Sequence, residues 1–282
     1  MDIERKKIQW YPGHMAKAGR QIGEKLKLID VVIEVLDARV PRASRNPGIF
    51  KMLKGRRVSH VILLNKSDLA DPGMTQKWAA SFLDTPGIDA VLPFTAFDGK
   101  AKKRLIDTLH QVNTQEKRLI KCLLCGIPNV GKSAIINTLA GKKKAQTGNK
   151  PGVTKGQQWI QTGSDILFLD TPGILWPKFE DDVIGTELAW IGSIKDTIFE
   201  KENLAGDLMQ FMISHYPKRL EKRYDLDVMR EKPAWRLFDE LCEGKKLLMR
   251  GNQYDYARAS QMLLTDFKNG KLGRITIDDV KG

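Results

Sequence analysis

Short apolar runs recur between residues 31 and 169, separated by stretches whose apolar residues have helical spacing. The runs are rich in Val, Ile and Leu, as expected of strands that are buried on both faces. They are Val31–Leu36, Val61–Leu64, Val91–Phe94, Leu119–Cys125, Gln157–Gln161 and Ile166–Leu169. Because helical stretches lie between most of them, we predict an α/β fold with a mostly parallel sheet and flanking helices.

Beyond residue 178 the apolar residues follow the helical period alone. The predicted helices lie near Asp181–Ile194, Asn203–His215, Pro233–Glu243 and Tyr254–Lys268. We therefore predict two domains, an α/β domain over residues 1–177 and a smaller all-α domain over residues 178–282.

Residues 126–133, Gly-Ile-Pro-Asn-Val-Gly-Lys-Ser, match the eight-position pattern of a phosphate-binding loop (P-loop). They follow a predicted strand and precede a helical stretch, so backbone N–H groups can converge on phosphate oxygens. We expect Lys132 to neutralise the β- and γ-phosphates and the Ser133 hydroxyl to ligate Mg²⁺. The alternative, a glycine-rich turn before an ordinary helix, is disfavoured by these flanks. The residues predicted to surround the phosphates are Asn129, Val130, Gly131, Lys132, Ser133 and Ala134.

Asp170 ends an apolar strand and begins the tetrapeptide Asp-Thr-Pro-Gly. A carboxylate at this place beside a P-loop can hold Mg²⁺ through water, and the Gly173 N–H can contact the γ-phosphate. Thr154, between the P-loop and Asp170, is the candidate for a second protein ligand of Mg²⁺.

Asn65, Lys66 and Asp68 lie in an Asn-Lys-Ser-Asp motif that closes another apolar strand and indicates guanine recognition. The Asp68 carboxylate can accept hydrogen bonds from guanine N1–H and the N2 amine, and adenine offers neither donor. Asn65 would meet guanine N7, and the Lys66 stem would cover the base. Thr95 and Ala96 follow the next strand and would offer backbone N–H groups to guanine O6.

The guanine motif precedes the P-loop, whereas the order is the reverse in an ordinary GTPase. Placing the P-loop strand first and joining the old ends restores the usual order, so we predict a circularly permuted P-loop GTPase. The permutation also means that the segment after Gly173 runs directly into the C-terminal domain. A segment that responds to the γ-phosphate would thus be tied to that domain.

With these motifs, residues 10–17 (Trp-Tyr-Pro-Gly-His-Met-Ala-Lys), Asp37–Pro41 and Gly173–Phe179 resemble the YlqF/RbgA family of circularly permuted GTPases over nearly the whole chain. The resemblance implies a GTP-hydrolysing assembly factor for the large (50S) ribosomal subunit. It implies low intrinsic activity, stimulation by the ribosomal particle and release on hydrolysis. It further implies an RNA-contacting helical domain.

The position after Gly173, where many GTPases have a water-orienting Gln, is occupied by Ile174. The resemblance points to His14 as the group that positions water, and a capping or core histidine is the alternative. The P-loop also resembles the Pro-Asn-Val/Ala-Gly-Lys-Ser form of potassium-activated GTPases, which implies that Asn129 helps to hold K⁺ beside the phosphates as an activator. No arginine finger can be assigned, and we interpret Arg39 as a surface or backbone-anchoring residue.

The net charge of +13 resides in the predicted GTPase domain, because residues 1–177 contain 29 basic and 15 acidic side chains. Such a surface suits the phosphate backbone of rRNA. The near-neutral C-terminal domain is predicted to carry a local basic face on residues 218–223 with Lys268, Lys271 and Arg274. The basic clusters of the first domain are Arg5–Lys7, Lys17 with Arg20, Arg39 with Arg42 and Arg45, Lys100–Arg104, and Lys142–Lys144.

The three cysteines, Cys122, Cys125 and Cys242, fit a reducing compartment, and we interpret the Cys122/Cys125 pair as core. No membrane span or secretory signal is expected. We therefore predict a cytoplasmic location. We also expect the protein to be a monomer when it is not bound to the ribosome.

Two alternative functions remain open at this point. One is a nucleotide-gated rRNA-binding placeholder or chaperone whose hydrolysis is incidental. The other is a GTPase that acts on tRNA or on the small subunit. Removal of His14 should trap the assembly GTPase on the ribosome and should do little to a placeholder.

Overall fold

A six-stranded sheet forms the centre of the α/β part. The computed structural model describes residues 23–53, 55–96, 98–113, 119–141, 158–162, 165–171, 173, 182–194, 199–228 and 233–280. The strands are β1 (Val31–Asp37), β2 (Ser59–Asn65), β3 (Ala90–Pro93), β4 (Ile120–Cys125), β5 (Gln158–Thr162) and β6 (Ile166–Asp170). Their order is β3-β2-β1-β4-β6-β5, and all neighbours are parallel except β5 and β6. The predicted α/β fold with a mostly parallel sheet is confirmed.

The central strands explain the continuous apolar runs of the sequence. Every residue of β1 is buried, and so is every residue of β2 except Ser59. In register, Asp37 of β1 pairs with Asn65 of β2, so these two strands end side by side. The carboxyl ends of parallel strands therefore meet at one edge of the sheet, where α/β proteins bind their ligands.

Four α-helices of the described residues accompany the sheet: α1 (Pro47–Leu53), α2 (Pro72–Leu83), α3 (Gly99–Gln111) and α4 (Lys132–Ala140). Helix α2 begins after Asp71, whose side chain accepts a hydrogen bond from Met74 N and satisfies one N–H of the first turn. Trp78 and Phe82 of α2 belong to a buried cluster with Leu36. Cys122 and Cys125 lie buried in β4 as free thiols, as predicted.

The C-terminal region contains five helices among the described residues. They are α5 (Asp182–Trp190), α6 (Lys201–His215), α7 (Pro217–Tyr224), α8 (Ala234–Lys245) and α9 (Tyr256–Lys268). The predicted all-α character is confirmed, but the sequence pattern indicated four helices and missed α7. That helix has eight residues, of which only Leu220 and Tyr224 are buried, so its apolar spacing is too sparse to register.

The chain divides into two compact units. Unit 1 comprises residues 1–185 and 276–282, and unit 2 comprises residues 186–275. The predicted boundary between residues 177 and 178 lies outside the described residues, and the two domains as predicted stay a prediction. The last segment of the chain thus belongs with the α/β unit.

Residues 276–280, which we call the C-terminal strap, bind the α/β unit through directional hydrogen bonds. The Ile277 N–H donates to Arg39 O (2.7 Å). The Asp278 carboxylate accepts hydrogen bonds from Arg42 N (2.6 Å) and Ala43 N (3.0 Å), and Trp78 Nε1 donates to Asp278 O (3.0 Å). The strap therefore joins the segment after β1 to helix α2.

Replacing Asp278 with Ala is expected to destabilise unit 1 by about 2–3 kcal/mol, because two backbone N–H groups lose a charged acceptor. Urea unfolding followed by Trp fluorescence measures this as a lower midpoint. The neighbouring variant Asp279→Ala, at an exposed position, is the control and should leave the midpoint near that of the wild type. Equal midpoints for all three proteins would contradict the structural role of Asp278.

Candidate nucleotide-binding site

The predicted P-loop connects β4 to α4 and has a backbone that only small residues permit. Gly126 has φ 149°, and a Cβ there would lie 2.4 Å from Val35 O. Gly131, at the N-terminus of α4, has φ 104°, and a Cβ would lie 2.3 Å from Asn65 Nδ2. The loop backbone therefore packs tightly against β1 at Gly126 and against the guanine motif at Gly131. A side chain at either position would clash, so the glycines are required by packing as well as by φ.

Lys132 lies inside the P-loop with its ammonium group held by the loop itself. Its Nζ donates to Gly126 O (3.0 Å) and Ile127 O (2.8 Å), and its side chain is buried. Burial lowers the pKa of Lys132 to about 8, and the charge of Asp170 opposes that shift. The loop therefore carries a desolvated cation directed at the space within it.

The affinity for GDP is expected to fall as the pH rises above about 8, where Lys132 loses its proton. Bound phosphates raise the pKa of this ammonium group, so binding takes up a proton above that pH, and affinity drops by up to about tenfold per pH unit. Fluorescence titration of GDP between pH 7 and 9 measures the slope. Titration of guanine itself contributes equally to the wild type and to Lys132→Met. The variant lacks the Lys132 ammonium group, so its affinity should depend less steeply on pH. Equal slopes for the two proteins would contradict the assignment.

Asp170 and Ser133 form the second part of the site. Asp170 ends β6, and its Oδ2 accepts a hydrogen bond from Ser133 Oγ (3.3 Å) at the start of α4. The other oxygen, Oδ1, is buried and has no hydrogen-bond partner within the part of the chain that the structure describes. Burial raises the pKa of Asp170, and the Lys132 charge opposes the rise. A hydroxyl beside an unsatisfied buried carboxylate oxygen suits a hydrated Mg²⁺ ion.

Gly173 lies directly on the P-loop. A Cβ at this position would be 2.5 Å from Pro128 Cα, so the chain after β6 approaches the loop as closely as a glycine allows. Of the other predicted residues of this part, Thr154, His14 and Ile174 lie outside the described residues.

The guanine motif contacts the P-loop from the end of β2. Asn65 Nδ2 donates to Val130 O (2.7 Å), and Lys66 Nζ donates to Asn129 O (2.9 Å). Asp68 is exposed, which leaves its carboxylate accessible to a base. The structure therefore brings together two motifs that the sequence places in inverted order.

The Thr95–Ala96 segment completes this side of the site. Ser67 of the guanine motif donates both its N–H (3.1 Å) and its hydroxyl (3.0 Å) to Phe94 O, immediately before Thr95. Ala96 O accepts a hydrogen bond from Thr138 Oγ1 of α4 (3.2 Å). The three predicted segments of a guanine-nucleotide site thus meet at the carboxyl edge of the sheet.

Asp37 and Arg39 belong to this region, although the sequence pattern did not assign them a place in it. Asp37 is fully buried at the end of β1 and binds Arg39 Nη2 (2.8 Å) and Lys66 Nζ (2.8 Å). The interpretation of Arg39 as a surface residue, and as part of the basic surface, is wrong, because its side chain is 2 % exposed and paired with Asp37. The signal that could have placed Asp37 here is its position at the end of an apolar strand, the same position that Asn65 has in β2.

Part of the basic face predicted in the helical unit lies on α7. Lys218, Arg219, Lys222 and Arg223 are exposed on α7. Arg219 packs over Gly273, and Arg223 shares the buried carboxylate of Asp266 with Lys271. Part of this charge is therefore neutralised within the unit. The clusters Arg5–Lys7, Lys17 with Arg20, and Lys142–Lys144 lie outside the described residues.

Comparison with known proteins identifies relatives of this chain. The protein family described as a 50S ribosome-binding GTPase matches residues 121–237. Ribosome biogenesis GTPase A of Priestia megaterium is 44 % identical over 96 % of both chains. The chain belongs to the ribosome biogenesis GTPase A family. The resemblance to the YlqF/RbgA family that the motifs carried is thereby confirmed.

Other members of the ribosome biogenesis GTPase A family support the fold as well as the sequence match. The Thermotoga maritima protein of the same name is 32 % identical over 96 % of this chain and 94 % of its own length. A crystal structure of GNP-bound YlqF from T. maritima has a TM-score of 0.66 and 29 % identity, and covers 94 % of this chain and 100 % of that chain. A GDP-bound structure of YlqF gives the same TM-score. The P-loop GTPase fold in its permuted order is thus shared with these structures.

Proposed function

We propose that this chain is a GTPase that assists assembly of the large (50S) ribosomal subunit and leaves it on hydrolysis. The observation that carries the GTPase part is the contact of Asn65 Nδ2 with Val130 O, which joins a guanine motif to a P-loop. The ribosomal part is supported by membership of the ribosome biogenesis GTPase A family.

The phosphates would be bound by α4 and the loop before it. Backbone N–H groups of residues 129–134 would bind the phosphate oxygens next to the N-terminus of α4, where the helix dipole favours negative charge. The Lys132 ammonium would exchange its bonds to two loop carbonyls for bonds to the β- and γ-phosphates. Charge-assisted bonds of this kind are the stronger ones.

Mg²⁺ would be held by Ser133 directly and by Asp170, with Thr154 as a further ligand. The support is the unsatisfied Asp170 Oδ1 beside the Ser133 hydroxyl. When bound, Mg²⁺ neutralises charge that develops on the phosphates. Asp170 would hold the position of the ion, and the Gly173 N–H would contact the γ-phosphate; the support is the close approach of Gly173 to Pro128 of the P-loop.

Guanine would lie between Asp68 and the segment Thr95–Ala96. The exposed Asp68 carboxylate would accept two hydrogen bonds from the base, Lys66 would cover one face of the ring, and Asn65 would contact N7. An adenine base would leave the Asp68 carboxylate without donors, so selectivity for GTP follows.

Hydrolysis would use His14 to position water, because Ile174 has no hydrogen-bonding group, and K⁺ near Asn129 would assist. We further propose rRNA and ribosomal proteins as contacts, a cytoplasmic location and a monomeric state off the ribosome. The support for the rRNA contacts is the excess of basic over acidic side chains in residues 1–177. None of the described helices combines the length and apolar character that a bilayer-spanning helix requires.

GTP turnover in K⁺ buffer, alone and with purified large or small ribosomal subunits, tests this function. We expect low turnover by the protein alone and strong stimulation by large subunits only. Stimulation by small subunits, or by neither particle, would contradict the proposed partner. A His14→Ala variant with normal GTP binding and unstimulated turnover would support the role of His14.

A further inference from the structure

Asp37 is the point at which β1 and the guanine motif are tied together. It is the last residue of β1, lies in register with Asn65 of β2 and is fully buried. One carboxylate oxygen, Oδ1, accepts from Arg39 N (3.1 Å) and Arg39 Nε (2.9 Å). The other, Oδ2, accepts from Arg39 Nη2 (2.8 Å) and Lys66 Nζ (2.8 Å). A single carboxylate thus serves two cations.

The two cations have different tasks. Arg39 meets both carboxylate oxygens through a planar fork, which fixes the orientation of the carboxylate. This leaves Oδ2 directed at Lys66, whose ammonium group also donates to Asn129 O in the P-loop. The order of contact is therefore Arg39, Asp37, Lys66 and the P-loop.

Electrostatics supports this arrangement. Burial alone would raise the pKa of Asp37, but the charges of Arg39 and Lys66 hold it well below its usual range, so the carboxylate stays ionised. Burial lowers the pKa of Lys66, and the Asp37 charge opposes that change. Asp37 thereby keeps a charged ammonium group at a desolvated place, which a neutral residue would not do.

The backbone shows why such a tether is needed. Lys66 has φ 58°, and Asn129, whose carbonyl accepts from Lys66, also has φ 58°. Both residues are in the left-handed region, which is unfavourable for a non-glycine residue and persists only when neighbouring contacts enforce it. The Lys66 ammonium group links these two turns, and Asp37 fixes its place.

We infer that Asp37, oriented by Arg39, is a positioning residue that holds Lys66 across the P-loop and so builds the guanine pocket and the phosphate loop into one unit. The inference rests on the proposed function, since it assigns Asp37 to the same nucleotide site. Asp37 acts through Lys66, because its own side chain is enclosed by protein.

Binding of a fluorescent GDP analogue to four variants tests this role. The Asp37→Asn change conserves volume and removes the charge, and we expect affinity to fall about tenfold or more, mainly through faster dissociation. Lys66→Ala should also weaken binding. The double variant should bind no worse than Lys66→Ala alone, because both changes remove the same link.

Glu34→Gln is the matched control for a purely structural effect. Glu34 is a fully buried carboxylate on the same strand, and its partners are His60 (3.1 Å) and Arg45 (3.8 Å) rather than the loops. We expect it to lower the unfolding midpoint in urea about as much as Asp37→Asn, with GDP affinity within about threefold of the wild type.

Two results would overturn the inference. Additive losses in the double variant would show that Asp37 does not act through Lys66, and an equal loss of affinity in Glu34→Gln would show a general effect on the fold. Failure of the wild-type protein to bind GDP would instead overturn the proposed function, so the two failures can be told apart.

Discussion

Replacing Lys132 with Met is expected to lower the affinity for GTP by about 10²–10³-fold, because two charge-assisted hydrogen bonds to phosphate disappear. Lys132 is 7 % exposed and already desolvated, so in the complex its charge is only weakly screened by water. Methionine keeps a similar length and fits the same channel, which separates the loss of charge from a loss of packing.

Isothermal titration of GTP and GDP measures this effect. Lys121→Met removes the same charge from the other end of β4, where the residue is only half-buried, and should change affinity little. GTP affinity in Lys132→Met equal to that of Lys121→Met would exclude Lys132 from the phosphate site. A loss shared by GTP and GDP, with a larger one for GTP, would agree with contacts to both terminal phosphates.

The Asp68→Asn variant is expected to lose about 10²-fold or more in GDP affinity and to prefer xanthosine diphosphate. Guanine presents two donors to the carboxylate, whereas an Asn amide offers one acceptor and one donor. The unmatched N2 amine then faces an N–H group, which leaves both without acceptors. Xanthine carries an oxygen at that place and matches the amide.

Competition of GDP and xanthosine diphosphate against a fluorescent nucleotide measures the change in base preference. Asp84→Asn, which alters an exposed carboxylate remote in sequence from the motif, is the control and should keep the wild-type order. Retained preference for GDP in Asp68→Asn would remove Asp68 from base recognition. Because Asp68 is exposed, its replacement should leave the unfolding midpoint nearly unchanged.

The sequence predicted the sheet well because buried parallel strands appear as unbroken apolar runs. The predicted limits of β1 and β2 lie within two residues of the observed ones, because almost every residue of these strands is buried. The antiparallel direction of β5 was not predicted, because strand direction depends on partners and not on the apolar pattern. Helix α7 was missed for its small number of buried positions.

The P-loop and the guanine motif were predictable because each needs particular residue types at fixed spacing. Their contacts through Asn65 and Lys66 were not predicted, because they depend on how the strands are arranged in the sheet and not on residue types. The place of Arg39 was not predictable, since a single arginine after a strand carries no periodic signal, and its burial depends on a carboxylate two residues away. The C-terminal strap was also hidden from the sequence pattern, because its bonds join residues 200 or more positions apart.

The strap affects the order in which the newly made chain can fold. Synthesis proceeds from the N-terminus, and Ala38, Arg39 and Trp78 emerge long before Thr276, Ile277 and Asp278, to which they are hydrogen-bonded in the folded protein. The backbone N–H groups of residues 42 and 43 therefore gain the Asp278 carboxylate as an acceptor only after more than 200 further residues have been made. A chain that stops before residue 276 would lack these contacts beside its guanine motif.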